Sequence, residues 1–109
     1  MMGLGCIGLM TILALKEKYN TRIIAVDVLN KRLEKAKELG ADFTINSAEN
    51  SAVEEVYRIT GAVGADYVFE TAGVPPTVGL TADLVKKGGK IVFVGTTVDT
   101  HVKMHFNAI

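Results

Sequence analysis

Three glycines near the amino terminus have a spacing that suits phosphate binding. Gly3, Gly5 and Gly8 form the pattern G-x-G-x-x-G, and an apolar segment follows them. In this pattern the first glycine allows a tight turn, the second lets the backbone approach a diphosphate, and the third lets the next helix lie close to a sheet. The amino terminus of that helix directs its amides and the positive end of its dipole at the anion. Because the chain contains 11 glycines, the spacing alone is weak evidence.

Asp27 follows at a distance that fits the same kind of site. It stands 19 residues after Gly8, at the end of an apolar run. An acid about 20 residues beyond such a loop accepts hydrogen bonds from the ribose of an adenosine. A carboxylate there repels a 2′-phosphate and favours NAD over NADP, whereas Lys31 and Arg32 could receive that phosphate. Loop, helix, strand and acid together predict a dinucleotide site; the alternative is a tight turn with an incidental strand-end aspartate.

The other reactive side chains indicate no catalytic group. Cys6 is the single cysteine, and we interpret it as a small apolar filler, the alternative being a thiol activated by the helix amino terminus. His101 and His105 are four residues apart, but their segment has no helical pattern, so we predict no metal site. Glu70 is interpreted as a polar strand-end residue near the groove rather than a general base.

Composition describes one globular domain without a charged binding surface. The 109 residues are 49% hydrophobic and 22% charged, and 12 basic side chains balance 12 acidic ones. This balance argues against nucleic acid and anionic membrane as partners. The longest apolar run, Cys6 to Leu15, is shorter than the roughly 20 residues that span a bilayer. A single cysteine fits a reducing compartment, so we expect a cytoplasmic protein.

Helical and strand patterns alternate along the chain. The predicted order is helix Ile7–Tyr19 stopped by Asn20, strand Arg22–Asp27, helix Leu29–Gly40, strand Phe43–Asn46, helix Ser51–Gly61 with a capping box, strand Asp66–Thr71, helix Pro76–Lys86, a Gly88-Gly89 turn and strand Lys90–Gly95. The first helix and the last strand are apolar enough to be buried. Such alternation predicts an α/β fold with a parallel sheet.

Five blocks of the sequence together resemble one family. They are GLGCIGLM, IIAVD, KRLEKAKELGAD, GADYVFETAG and KKGGKIVFVGT. The chain resembles the coenzyme domain of the medium-chain, zinc-type alcohol and polyol dehydrogenases from Gly3 to about Thr97. The resemblance implies a Rossmann-type, doubly wound parallel sheet with NAD as coenzyme.

The same resemblance implies roles for particular residues. The loop Gly3-Leu4-Gly5-Cys6-Ile7-Gly8 would hold the diphosphate, and Arg32 would reach the adenosine ribose together with Asp27. The segment Thr71-Ala72-Gly73 would line the coenzyme groove. The backbone of Val94-Gly95-Thr96 would approach the nicotinamide carboxamide.

In the family, a catalytic domain and a central strand precede the glycine loop. We therefore expect residues 1–109 to be an incomplete dinucleotide-binding domain, truncated at the first, central strand and at the last strand. Met1-Met2 would be a stub of the central strand, flanked by Arg22–Asp27 and Asp66–Thr71. The catalytic zinc would be held by the absent domain, so the fragment alone should be inactive.

The predicted function is the NAD-binding part of an oxidoreductase that transfers a hydride between an alcohol or polyol and the coenzyme. The full-length protein would be a homo-oligomer. One alternative is a regulatory, NAD-sensing Rossmann module without catalysis. Another is a methyltransferase that uses S-adenosylmethionine, although the three-glycine spacing and the last block fit the dehydrogenases better.

Overall fold

Met2 occupies the centre of a parallel sheet in the computed structural model, which describes residues 1–94. Its N–H donates to the carbonyl of Phe69 at 2.7 Å, on one side of the sheet position. On the other side, the N–H of Gly3 donates to the carbonyl of Val26 at 3.0 Å. Met2 thus bridges two strands that would otherwise be unconnected, and the predicted stub of a central strand is confirmed.

The remaining elements alternate as predicted. The helices are α1 (Cys6–Tyr19), α2 (Asn30–Glu38), α3 (Ala52–Ile59) and α4 (Pro75–Leu84), and the strands are β1 (Ile24–Asp27), β2 (Phe43–Asn46), β3 (Ala65–Glu70) and β4 (Val85–Phe93). All pairs are parallel, and the order across the sheet is β2, β1, Met2, β3, β4. The strand order therefore runs outward from Met2 in both directions, as in a doubly wound α/β fold.

Two apolar clusters cover the two faces of this sheet. Neighbouring strand residues point to opposite faces, so Ala25 packs in one cluster and Val26 in the other. The first cluster consists of Leu4, Ile12, Ile23, Ala25, Leu33, Ala36 and Ala41, from the side of α1 and α2. The second consists of Met2, Val26, Ile45, Ala52, Val56, Val68 and Leu84, from the side of α3 and α4.

Two helix boundaries follow from single residues. Asn20 ends α1 in the left-handed conformation, with φ 48° and ψ 38°, which Asn tolerates better than most residues. Ser51 caps α3, since its hydroxyl accepts the N–H of Glu54 at 3.3 Å. Both signals were readable in the sequence.

The predicted turn at Gly88-Gly89 is wrong, because these glycines lie within β4. Val85 pairs with Ala65, and the next paired residue, Lys90, lies opposite Tyr67. The chain therefore bulges between the two pairs. Gly88 has φ +76°, a conformation that glycine adopts without strain, and this lets β4 leave the ladder and rejoin it.

The prediction that the first helix and the last strand are buried is also wrong. On α1, Ile7 and Met10 are 57% and 61% exposed, and on β4, Phe93 is 52% exposed. An apolar run shows what a segment can bury, and within residues 1–94 no element covers these faces. Despite its apolar character, neither α1 nor another helix of this region is long and apolar enough to cross a membrane.

Candidate functional site

The glycine loop lies where the sheet changes direction. Strands β1 and β2 extend to one side of Met2, and β3 and β4 extend to the other. In open α/β sheets, ligands bind outside the carboxyl ends of the strands at such a switch point. The loop from Gly3 to Gly8 leaves Met2 at this edge, beside the carboxyl ends of β1 and β3.

Two of the three glycines are required by close packing. Gly3 has φ +93°, and a Cβ added there would lie 2.8 Å from the Cβ of Ala72. A Cβ added to Gly8 would lie 2.2 Å from the carbonyl oxygen of Gly3, because α1 starts directly against the loop. At Gly5 an added Cβ would meet nothing within 4 Å. The space above Gly5 is open, as the approach of a diphosphate requires.

The amino terminus of α1 leaves hydrogen-bond donors available. Gly5 is the N-cap, and in the described part of the chain no side chain caps the helix and no acid lies in its first turn. The first intrahelical bond at this end joins the N–H of Leu9 to the carbonyl of Gly5. The amides of residues 5–8 therefore precede the helical ladder and are free to face an anion. These residues fit a diphosphate group.

Asp27 lies beside this loop at the end of β1. Its Oδ2 accepts the N–H of Leu4 at 2.8 Å, and its Oδ1 accepts the N–H groups of Val28 and Leu29 at 2.6 and 3.1 Å. The guanidinium of Arg32 lies 3.7 Å from Oδ2. Only 8% of Asp27 is exposed. The carboxylate thus holds the loop in position. It lies on the β1 side of the loop, within reach of a ribose bound there.

Three loop residues differ in what they can offer a ligand. The side chain of Leu4 is fully buried, so only its main chain faces the loop, and its N–H is held by Asp27. Cys6 and Ile7 are exposed at the start of α1. The interpretation of Cys6 as an apolar filler is therefore wrong, since its thiol packs in neither cluster.

The turn after β3 is tied to the glycine loop. The hydroxyl of Thr71 donates to the carbonyl of Gly3 at 2.8 Å. Ala72 is exposed next to Gly3, and Gly73 is buried. The structure therefore brings the predicted segment Thr71–Gly73 to the same edge as Asp27, on the opposite side of Met2.

Glu70 ends β3 beside the groove, as the sequence analysis interpreted it, but its burial and its partners were not predicted. It is fully buried, and its Oε1 accepts the N–H of Gly73 at 2.6 Å. The available signal was an acid at the end of an otherwise apolar strand, directly before Thr71-Ala72-Gly73. Its burial could not be read from that pattern.

The last predicted segment is described only at its start. The N–H of Val94 donates to the main-chain carbonyl of Glu70 at 2.8 Å. Gly95 and Thr96 lie outside the described residues, as do His101 and His105. Within residues 1–94, no three His, Cys, Asp or Glu side chains are grouped to hold a metal ion.

A cavity in the described region lies away from this site. It has a volume of about 790 Å³ and continues the line of Met1 and Met2 between the amino-terminal halves of β1 and β3. Ile24 of β1 and Tyr67 of β3 line its strand walls, and Val56 of α3 lines one face. The glycine loop and Asp27 do not contribute to it.

Three curated relatives are similar over most of this chain. An uncharacterised zinc-type alcohol dehydrogenase-like protein of Escherichia coli is 50% identical over 95 residues, which is 87% of this chain and 27% of the relative. Sorbitol dehydrogenase of Bacillus subtilis is 42% identical over 86% of this chain and 27% of its own length. An NAD-dependent alcohol dehydrogenase of Sulfurisphaera tokodaii is 38% identical over 84% and 26%. The chain thus spans about a quarter of the length of these relatives.

Solved structures of related proteins also match most of this chain. An oxidoreductase of unknown specificity from E. coli has a TM-score of 0.90 and 46% identity, over 95% of this chain and 30% of that one. A protein of Sinorhizobium meliloti, described as a zinc-binding dehydrogenase and bound to NADP, has a TM-score of 0.86 and 29% identity, over 97% and 31%. The Rossmann-type fold is thereby confirmed.

A family model described as "Zinc-binding dehydrogenase" matches residues 6–109. The match includes the helix that follows the glycine loop, Asp27, and the turn after β3. It leaves out only the first five residues of the sequence. The chain therefore belongs to the zinc-binding dehydrogenase family.

Proposed function

We propose that this chain binds NAD as the coenzyme-binding part of an alcohol or polyol dehydrogenase. One observation carries the proposal: the open amino terminus of α1 and the carboxylate of Asp27 lie together at the switch point of the sheet. The amides of residues 5–8 would hold the diphosphate, and Asp27 would accept hydrogen bonds from the adenosine ribose.

Charge favours NAD over NADP. Asp27 places a carboxylate at the β1 edge of the loop, where a 2′-phosphate would be repelled. The guanidinium of Arg32, 3.7 Å from Oδ2, offsets part of that charge. The relatives include one named as NAD-dependent and one structure bound to NADP, so they do not distinguish the two coenzymes. The choice of NAD therefore rests on the charges of Asp27 and Arg32.

The proposed reaction is that of the whole enzyme. When bound, the nicotinamide would accept a hydride from the alcohol, and the residues of this chain would bind and orient the coenzyme. The resemblance to the family implies that its catalytic zinc is held elsewhere in the enzyme. The relatives above are named as dehydrogenases, as a dehydrogenase-like protein or as an oxidoreductase, and none is named as a regulatory sensor.

Titration of the isotope-labelled chain with NADH and NADPH tests the proposal. We expect NADH to shift the amide resonances of Gly5, Cys6 and Ile7, and NADPH to bind more weakly. Shifts confined to residues around the cavity between β1 and β3 would contradict the site. Tighter binding of NADPH than of NADH would contradict the choice of coenzyme.

An activity assay tests whether catalysis needs the rest of the enzyme. The 109 residues alone should oxidise no alcohol with NAD, with or without added zinc, because a catalytic zinc needs three protein ligands and an open position. Zinc-dependent turnover by the purified chain would show that it carries the ligands itself.

A further inference from the structure

Glu70 is a fully buried carboxylate with a defined set of partners. Its Oε1 and Oε2 accept the N–H of Gly73 at 2.6 and 3.1 Å, and the hydroxyl of Thr77 lies 3.4 Å from Oε2. Thr77 belongs to the first turn of α4, whose N-cap, Val74, provides no side-chain cap. A buried carboxylate is costly unless it is hydrogen-bonded, and a helix amino terminus stabilises it. Glu70 therefore fixes the turn after β3 and lies against the first turn of α4, where the hydroxyl of Thr77 also donates to the carbonyl of Val74 at 2.9 Å.

This turn packs directly on the glycine loop. The hydroxyl of Thr71 donates to the carbonyl of Gly3. Ala72 lies so close to Gly3 that a Cβ added to Gly3 would be 2.8 Å from the Cβ of Ala72. Space at this contact is filled, so the turn cannot relax without moving Gly3. The hydrogen bond from Gly73 to Glu70 thus constrains the loop from the β3 side.

We propose that Glu70 is a positioning residue that sets the β3 side of the coenzyme groove, an inference that rests on the proposed binding of NAD. A dinucleotide whose diphosphate faces α1 extends to both sides of Met2. With the adenosine at Asp27 on the β1 side, the nicotinamide half lies on the β3 side, along Thr71–Gly73. Loss of the Glu70 contacts should therefore weaken binding of the nicotinamide half and leave the adenosine half unchanged.

The experiment compares NADH with ADP, which lacks the nicotinamide half, on wild type and Glu70→Gln. The amide side chain keeps the size of Glu70 but replaces one acceptor oxygen with a donor. We expect NADH affinity to fall about tenfold, the equivalent of roughly 1.4 kcal/mol. The affinity for ADP should change less than about twofold. The resonance of the Gly73 amide should shift and its hydrogen exchange should become faster.

A matched control removes a similar hydrogen bond at the other edge of the sheet. The hydroxyl of Thr60 accepts the N–H of Gly64 at 2.9 Å, beyond the end of α3. Thr60→Val should lower stability but change neither the ratio of NADH to ADP affinity nor the Gly73 amide. If Glu70→Gln does not fold, Thr77→Val, which keeps the carboxylate, should show the same selective loss to a smaller degree.

The experiment distinguishes failure of the positioning role of Glu70 from failure of the proposed function. Equal losses for NADH and ADP, or none for either, would make Glu70 structural and leave the proposed function intact. Failure of wild type to bind NADH or ADP would contradict the proposed function. If wild type binds no ligand, the amide resonances of Gly73 and Gly3 still test the positioning role. Unchanged resonances in Glu70→Gln would contradict that role, and altered resonances at both glycines would support it.

Discussion

The Oδ2 atom of Asp27 accepts the N–H of Leu4 at 2.8 Å, across 23 residues of sequence. The acid predicted to meet the ribose therefore also holds the glycine loop in place. Its other oxygen accepts two main-chain amides of the turn that leads into α2. A substitution at this position must change the loop as well as the ligand contact, so a test of coenzyme choice has to separate the two effects.

Asp27→Asn should lower both stability and NADH affinity. Asparagine has one acceptor oxygen, so it cannot serve Leu4 on one side and the amides of Val28 and Leu29 on the other. A buried amide left unpaired costs about 1–3 kcal/mol, to be measured as a loss of free energy of unfolding in urea. Loss of the charged ribose contact should weaken NADH binding roughly 10- to 150-fold. NADPH binding should weaken less, because repulsion of its 2′-phosphate is removed too.

Asp42 provides the matched control for Asp27. Its carboxylate accepts the N–H of Ile23 at 2.8 Å and pairs with Lys16 at 2.6 Å, just before β2 at the opposite edge of the sheet. Asp42→Asn should lower stability without changing the ratio of NADPH to NADH affinity. An unchanged ratio in Asp27→Asn as well would leave Asp27 with a structural role only.

Arg32→Ala should weaken binding of NADPH more than binding of NADH, the reverse of the effect of Asp27→Asn. The side chain is half exposed and its pairing with Asp27 is long, so stability should change by less than about 0.5 kcal/mol. If the guanidinium reaches a 2′-phosphate, NADPH affinity should fall more than NADH affinity, and the difference should shrink with added salt. Lys37→Ala, an exposed cation near the end of the same helix, is the control. Equal effects of the two substitutions would exclude a specific contact.

The order of elements could be predicted because each apolar pattern depends on local sequence. Phe43–Asn46 is a strand with the predicted bounds, and Asn20 ends α1 as expected. Exposure could not be predicted in the same way: Ile7 and Phe93 are apolar, yet their burial depends on neighbours that the pattern does not contain. The partners of Glu70 likewise depend on how the chain turns after β3. Local propensity is thus sufficient for the order of the elements, whereas burial and the site also need tertiary contacts.

A chain that begins at Met1 should lose stability as the pH falls from 8 to 5. Its amino group donates to the carbonyl of Ile24 at 2.7 Å, and burial lowers its pKa from 8.0 to about 5. Between these values the unfolded chain binds one proton more than the folded chain, so the free energy of unfolding rises with pH. The total change from this group is about 4 kcal/mol. Below pH 5 both states are protonated and the contribution is constant.

Urea unfolding at several pH values between 5 and 8 measures this dependence. The amino-terminally acetylated chain is the control, because it carries every other titrating group and lacks the amine. The difference between the two curves should be confined to this window. Parallel curves would show that the amine is solvated in the folded protein.

The two glycines that flank the start of α1 should respond oppositely to alanine. Gly8→Ala places a methyl group 2.2 Å from the carbonyl oxygen of Gly3, so the helix must shift, and we expect a loss of about 1–3 kcal/mol in stability. Gly5→Ala meets no atom within 4 Å and keeps an allowed φ of −70°, so stability should change by less than about 0.5 kcal/mol. Its methyl group would nevertheless occupy the approach of the diphosphate, so NADH affinity should fall about tenfold or more. Urea unfolding and NADH titration of both variants distinguish these effects, and normal NADH affinity in Gly5→Ala would show that the diphosphate does not lie over α1.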